Sequence, residues 1–160
     1  MTIPSLKVFI LEHLNRIYSA KSHLSERLPE LLDQTSFMDI RELIVQAMTD
    51  VNKQLTRMDR IYELLEVEHH VEISKGMVGT MEDAFSLIYK TNFNSLLRDL
   101  SVLYYLQNIE AIEMGSFQVL EAAALQLPDQ RASQLIRESY EEAKAVRALS
   151  LHLTVKYLSD

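Results

Sequence analysis

The chain has 160 residues, 48% of them hydrophobic and 24% charged, with 3 Gly, 3 Pro and no Cys. That suits one globular, helix-rich domain over 1–160 and excludes disulfides, thiolate metal sites and cysteine nucleophiles. The formal net charge of −7 offers no basic face for nucleic acid or acidic lipid.

Apolar residues recur at three- and four-residue spacing between a few breakers: Pro4, Pro29, Gly76 with Gly79, and Pro128. The opening patch is apolar at helical spacing and lacks a basic leader, and no apolar run reaches the 18 or so residues of a membrane span. The expectation is a cytoplasmic protein with no membrane contact.

The first helix is expected from about Ser5 to Leu32, bent or ended by Pro29. Its stripe is Ile10, Leu14, Ile17, Lys21, Leu24 and Leu28. Ser36 with Asp39 reads as a capping-box-like start for a second helix reaching about Glu66. Its stripe carries Ile40, Leu43, Ile44, Ala47, Asp50, Val51, Gln54, Met58, Ile61 and Leu65. The stretch Val67 to Ile73 is polar and reads as a loop. Its histidines, His69 and His70, fit a solvated segment better than a metal site, because a flexible loop preorganises ligands poorly.

A shorter helix follows over about Thr80 to Lys90, then a turn at Thr91–Asn94. The next long helix, about Ser95 to Gln126, carries Leu103, Leu106, Glu110, Glu113, Phe117, Leu120 and Ala124 on one face. The last, about Asp129 to Leu158, carries Leu135, Glu142, Val146, Leu149 and Leu153. The pattern predicts an all-α fold: a ferritin-like four-helix bundle whose long crossover carries a short extra helix.

Five charged residues interrupt these stripes: Lys21, Asp50, Glu110, Glu113 and Glu142. All lie well inside their helices, so they are not caps, and in an antiparallel bundle mid-helix positions meet near one level. Asp50 is the weakest member, since Val51 fits the stripe equally well. If all five converge, four carboxylates against one ammonium leave three excess negative charges in a low-dielectric interior. Such a group needs raised carboxyl pKa values, further cations or a metal. Arg16, Arg98 and Arg147 are candidate cations. Inward-facing carboxylates are also how bundles hold two metals. A metalloprotein reading therefore places Fe or Mn on Asp50, Glu110, Glu113 and Glu142, with oxidase or peroxide-handling activity. A small-molecule binding bundle is a third reading.

Tyr18, Tyr104 and Tyr105 fall within a turn or two of this level, and each hydroxyl is expected to bond a core carboxylate. His13, His23 and His152 are expected at the surface, and the methionines, Met38 among them, as packing residues. No Gly-x-Ser-x-Gly elbow or phosphate-binding glycine loop is present.

The ordered set Leu6–Lys7 with Leu14, Tyr18, Ala20 and Leu24, then Ile61–Leu65, Ile109–Glu113 and Tyr140–Ala145, resembles the YciF-like stress proteins of the ferritin-like superfamily. The resemblance covers nearly the whole chain and implies the ferritin-like fold. It matches Glu110, Glu113 and Glu142 to the family's carboxylates. That family usually carries Glu at the position of Lys21, His at Ala47, Glu at Asp50 and His at Ala111. A carboxylate has become a cation and two imidazoles have become methyl groups. The resemblance thus implies a stress-associated, non-catalytic protein with no cofactor, in which a Lys/carboxylate core replaces the di-metal site. It also implies a homodimer, for which Phe9, Leu11, Val102 and Tyr105 are candidate interface residues.

Overall fold

A computed structural model describes residues 1–69 and 73–159 and contains five helices among them: α1 (Ile3–Gln34), α2 (Met38–Leu65), α3 (Lys75–Lys90), α4 (Ser95–Ala124) and α5 (Arg131–Ser159). Three contacts fix their directions. Lys7 at the start of α1 donates to the carbonyl of Leu65 at the end of α2 (3.0 Å), so these two run antiparallel. Asp99, in the first turns of α4, accepts from the backbone of Ser36 (2.8 Å) and Phe37 (2.9 Å) at the α1–α2 turn. Lys156, near the end of α5, reaches Asp39 at 2.8 Å. Helices α2 and α4 therefore both descend from one end, and α1 and α5 both ascend to it. The segment carrying α3 must recross the bundle's length. The result is an all-α bundle of four long helices with one long crossover.

Several local expectations change. Pro29 neither ends α1 nor leaves its last turn loose: the helix continues to Gln34, with Leu28 and Leu31 buried on either side of an exposed proline. Tertiary burial outweighs the missing backbone donor. No capping box opens α2. Its N-cap is Phe37 without a side-chain bond, and the Asp99 carboxylate supplies the acceptor from another helix. Gly76 and Gly79 lie inside α3, which starts five residues earlier than expected because Met81, Phe85 and Ile88 bury its inner face. Asn94 does cap α4, accepting from the Leu97 backbone at 3.1 Å.

The stripes of the first three long helices are buried as read. The last is not. Leu149 is exposed and Leu135 and Glu142 are half-buried, while Ala132, Ser133, Ser139, Ala143 and Ser150 face inward. Small residues there let α5 pack closely on α4, and their modest hydrophobicity hid the face from a reading based on large apolar side chains. Met38 is exposed, and His23 is half-buried, bonded to Glu82 at 2.7 Å. His70 lies outside the described residues, as do Val71 and Glu72. No helix of the described residues is long and apolar enough to cross a membrane.

The apolar core comes in two parts. One gathers Leu24, Leu28, Ile44, Val51, Phe85 and Leu106 towards the α1–α2 turn. The other gathers Leu14, Ile17, Met58, Phe117 and Ile136 towards the α4–α5 turn. Between them, on α1, α2 and α4, fall Lys21, Gln54, Glu110 and Glu113, all buried.

Candidate functional site: a buried ion pair between two apolar cores

Each residue of this layer is carried inward by its helix period. Lys21 lies one turn beyond Ile17 and one before Leu24, so its stem has no route to solvent; it is 1% exposed. Glu113 sits likewise between Ile109 and Phe117 on α4 and is 0% exposed. The Lys21 Nζ is in direct contact with Glu113 Oε2. Burial alone would lower the lysine's pKa, but Glu113 and then Glu110 overcome it, so the amine stays protonated beyond its usual range.

Glu110, one turn before Glu113, behaves oppositely. Burial, the Glu113 charge with its hydrogen bond, and Asp50 together outweigh the pull of Lys21. Its carboxyl is pushed well above the usual range. A raised carboxyl beside the Lys21–Glu113 contact lowers the negative charge that this buried layer has to carry. Glu110 Oε2 and Glu113 Oε1 meet no hydrogen-bond donor, nor does Gln54 Oε1.

The other two charged residues are brought near this trio without joining it. Glu142 has Arg57 at 2.7 Å through both carboxylate oxygens and Gln54 Nε2 at 3.2 Å. Burial raises its pKa, but the hydrogen bond and charge of Arg57 outweigh burial and hold it below the usual value. Asp50 accepts from Gln46 at 2.9 Å and has Lys53 at 3.9 Å. Both carboxylates line a groove of about 440 Å³ between α2 and α5, at the rim of the buried layer. The expected excess of negative charge is thus eased by the raised Glu110 carboxyl and by partners at the rim.

None of the arginines singled out from sequence supplies that charge. Arg16 is exposed, Arg98 pairs with Asp99, and Arg147 Nε donates to no partner. The cation is Arg57, three residues after Gln54 on α2. Its position beside Met58 could have been read as a stripe edge facing the next helix. Asp99 was also missed, although the run 99, 103, 106, 110, 113 continues the α4 stripe.

The tyrosines do not bond the carboxylates of this layer. Tyr104 is exposed; Tyr105 is buried with an unpartnered hydroxyl, whose pKa burial drives up; Tyr18 packs edge-on to Tyr62 with its hydroxyl towards Asp59. Val102 and Tyr105 are buried, and Phe9 and Leu11 half-buried against the core, so these four form no exposed patch.

A di-metal centre does not fit this donor set. Bundle sites of that kind need carboxylates and imidazoles aimed at shared points. Here an ammonium lies on Glu113, and among the described residues no three His, Cys, Asp or Glu side chains gather so as to hold an ion. Ala47 is buried, but Ala111 is exposed on the outer face of α4. A histidine at 111 would point away from the layer.

A family model described as a domain of unknown function, DUF892, matches residues 5–156. The chain belongs to the DUF892 family. It is 27% identical over 149 residues to Protein YciF of Escherichia coli (strain K12), covering 91% of this chain and 87% of that one. The fold is similar to the crystal structure of the E. coli stress protein YciF, with a TM-score of 0.90 and 22% identity, covering 97% of this chain and 98% of that one. It is also similar to YcfI from Rhodopseudomonas palustris, with a TM-score of 0.83 and 19% identity, covering 89% and 90%. This DUF892 member thus shares an all-α, YciF-type bundle along almost its whole length.

Proposed function

We propose that this protein is a ferritin-like, stress-associated and non-catalytic bundle of the cytoplasm, in which the Lys21 ammonium stands where a metal would otherwise join the carboxylates. The observation that carries this reading is the contact of Lys21 with Glu113 inside a fully buried layer. An ammonium offers three hydrogen-bond donors and one positive charge at a fixed point, which serves the cohesive role of a bridging ion but not its redox role. The stress association comes from the likeness to the E. coli stress protein YciF.

The test is metal analysis of protein expressed in iron- and manganese-rich medium. The reading requires well under one ion per chain. One stoichiometric ion held by Asp50, Glu110, Glu113 and Glu142 would replace it with the oxidase or peroxide-handling alternative.

A further inference from the structure

A cleft of about 860 Å³ lies between α1, α4 and the start of α3, and it shares no residue with the buried Lys21–Glu113 layer. Its size falls within the roughly 300–1,000 Å³ of small-molecule sites. The floor is apolar and buried: Ile17 from α1 and Leu120 from α4 are each 1% exposed. The walls are apolar but open. Ile73, Ile112 and Val119 all line the cleft, and they are exposed by 71%, 45% and 54%. Apolar side chains left to water around one concave space are the usual lining of a ligand site.

Two of the chain's three glycines, Gly76 and Gly115, also line it. Neither has a positive φ, and a Cβ on either would meet no atom of the chain within 4 Å. Backbone conformation and internal packing therefore give no reason for the missing side chains. Gly115 stands in the middle of α4, where glycine is unfavourable relative to alanine. What the two glycines do is keep the cleft open, from two different helices.

The cations of the lining gather at one end. The Ser74 backbone donates to Ser19 Oγ at 2.9 Å, which fastens the start of α3 beside the turn of α1 that begins at Arg16. Lys75 and Arg16 therefore come to the same end of the cleft, and among the described residues neither has a hydrogen bond or an ion pair. Glu12 is the one acid on the lining, and it pairs with neither. Phe9 lies at the other end, seven residues and about 10 Å from Arg16 along α1, with its ring against His13 at 4.5 Å. In a chain of net charge −7, two unpaired cations at the head of an apolar trough match an anion that carries an apolar tail.

We propose that this cleft binds a free medium-chain carboxylate, its headgroup on Arg16 and Lys75 and its alkyl chain over Ile17 and Leu120 towards Phe9. The guanidinium offers a carboxylate two parallel hydrogen bonds, and the ammonium adds a point charge. The site does not depend on how Lys21 and Glu113 are used.

Calorimetric titration of the full chain with decanoate, kept below its micellar concentration, tests it. One decanoate per chain should bind saturably. Acetate, which lacks the tail, and decyltrimethylammonium, which has the opposite charge, should not. Arg16→Gln and Lys75→Gln should each weaken decanoate binding about tenfold, the share of a hydrogen bond to a charged group. Gly115→Leu should abolish binding by filling the cleft, while thermal stability holds or rises because leucine is the better helix former. All three positions are exposed, so the variants should keep their helices by circular dichroism. No saturable uptake of decanoate overturns the proposal, as does equal binding of acetate or decyltrimethylammonium. Parent-like affinity in Gly115→Leu, or in Arg16→Gln combined with Lys75→Gln, overturns it too. Vesicles of phosphatidylglycerol are the other source of an anionic headgroup on an apolar tail. A parent that sediments with them and ignores free decanoate contradicts the site as described.

Discussion

Lys21 and Glu113 meet in the middle of the bundle, from α1 and α4, with side chains 1% and 0% exposed. Taking both charges out of water costs several kcal/mol, and their attraction offsets this only while the surroundings stay neutral. The upward shift of the Glu110 carboxyl works towards that condition.

The raised Glu110 carboxyl gives a pH dependence of definite sign. In the unfolded chain Glu110 loses its proton at the ordinary carboxylate value, about 4.3, whereas the folded protein holds it well beyond. Its contribution to stability is full below about pH 4.3 and declines as the pH rises towards the folded value. Glu110→Gln should remove this decline. Urea midpoints measured between pH 5 and 8 should fall less for the variant than for the parent. Parallel pH profiles would show that Glu110 ionises normally.

Arg57 and Glu142 work in the opposite direction. The Glu142 carboxyl is held below its usual value, so its contribution is present at neutral pH and lost as the pH falls through that lowered value. The pair is partly solvated, so Arg57→Ala should cost only on the order of 1 kcal/mol at pH 7. The cost should shrink in acid. Chemical denaturation at pH 7 and pH 3 reads both.

Asp99 ties the start of α4 to the α1–α2 turn by accepting from Ser36 and Phe37, with Arg98 alongside at 3.3 Å. Asp99→Ala strands two backbone donors where no other side chain caps α2. The loss should be about 2–3 kcal/mol in equilibrium unfolding. Hydrogen exchange should rise first in the opening turn of α2. A change confined to α4 would contradict this account of the cap.

These features differ in how far the sequence announces them. Lys21, Glu110 and Glu113 are legible because large apolar residues bracket them at helical spacing on both sides. Glu142 is not, because the inward face of α5 mixes Ala and Ser with Ile136, Val146 and Leu153, and a reading weighted to large apolar residues misplaces part of it. Arg57 and Asp99 act across helices far apart in the chain, and only the packing of α2 on α5, or of α4 against the α1–α2 turn, brings them to their partners. The breakers mislead for a related reason: burial of Leu31 and of Met81 holds helix through Pro29 and the two glycines.

The exposure of Ala111 changes which substitutions could rebuild a metal site. Lys21→Glu with Ala47→His removes the ammonium and puts an imidazole on the buried face of α2. This double variant should bind Co²⁺ or Fe²⁺ and gain thermal stability on titration. Adding Ala111→His should change neither affinity nor stoichiometry. Spectroscopic titration with Co²⁺ distinguishes these outcomes, and a gain that required Ala111→His would contradict the orientation of α4.

The most direct measurement is the unfolding free energy of Lys21→Met against the parent at neutral pH. A methionine fills the same volume but leaves Glu113 without its cation in a sealed layer. The expected loss is about 3–5 kcal/mol. A variant as stable as its parent would show that no ion pair joins α1 to α4.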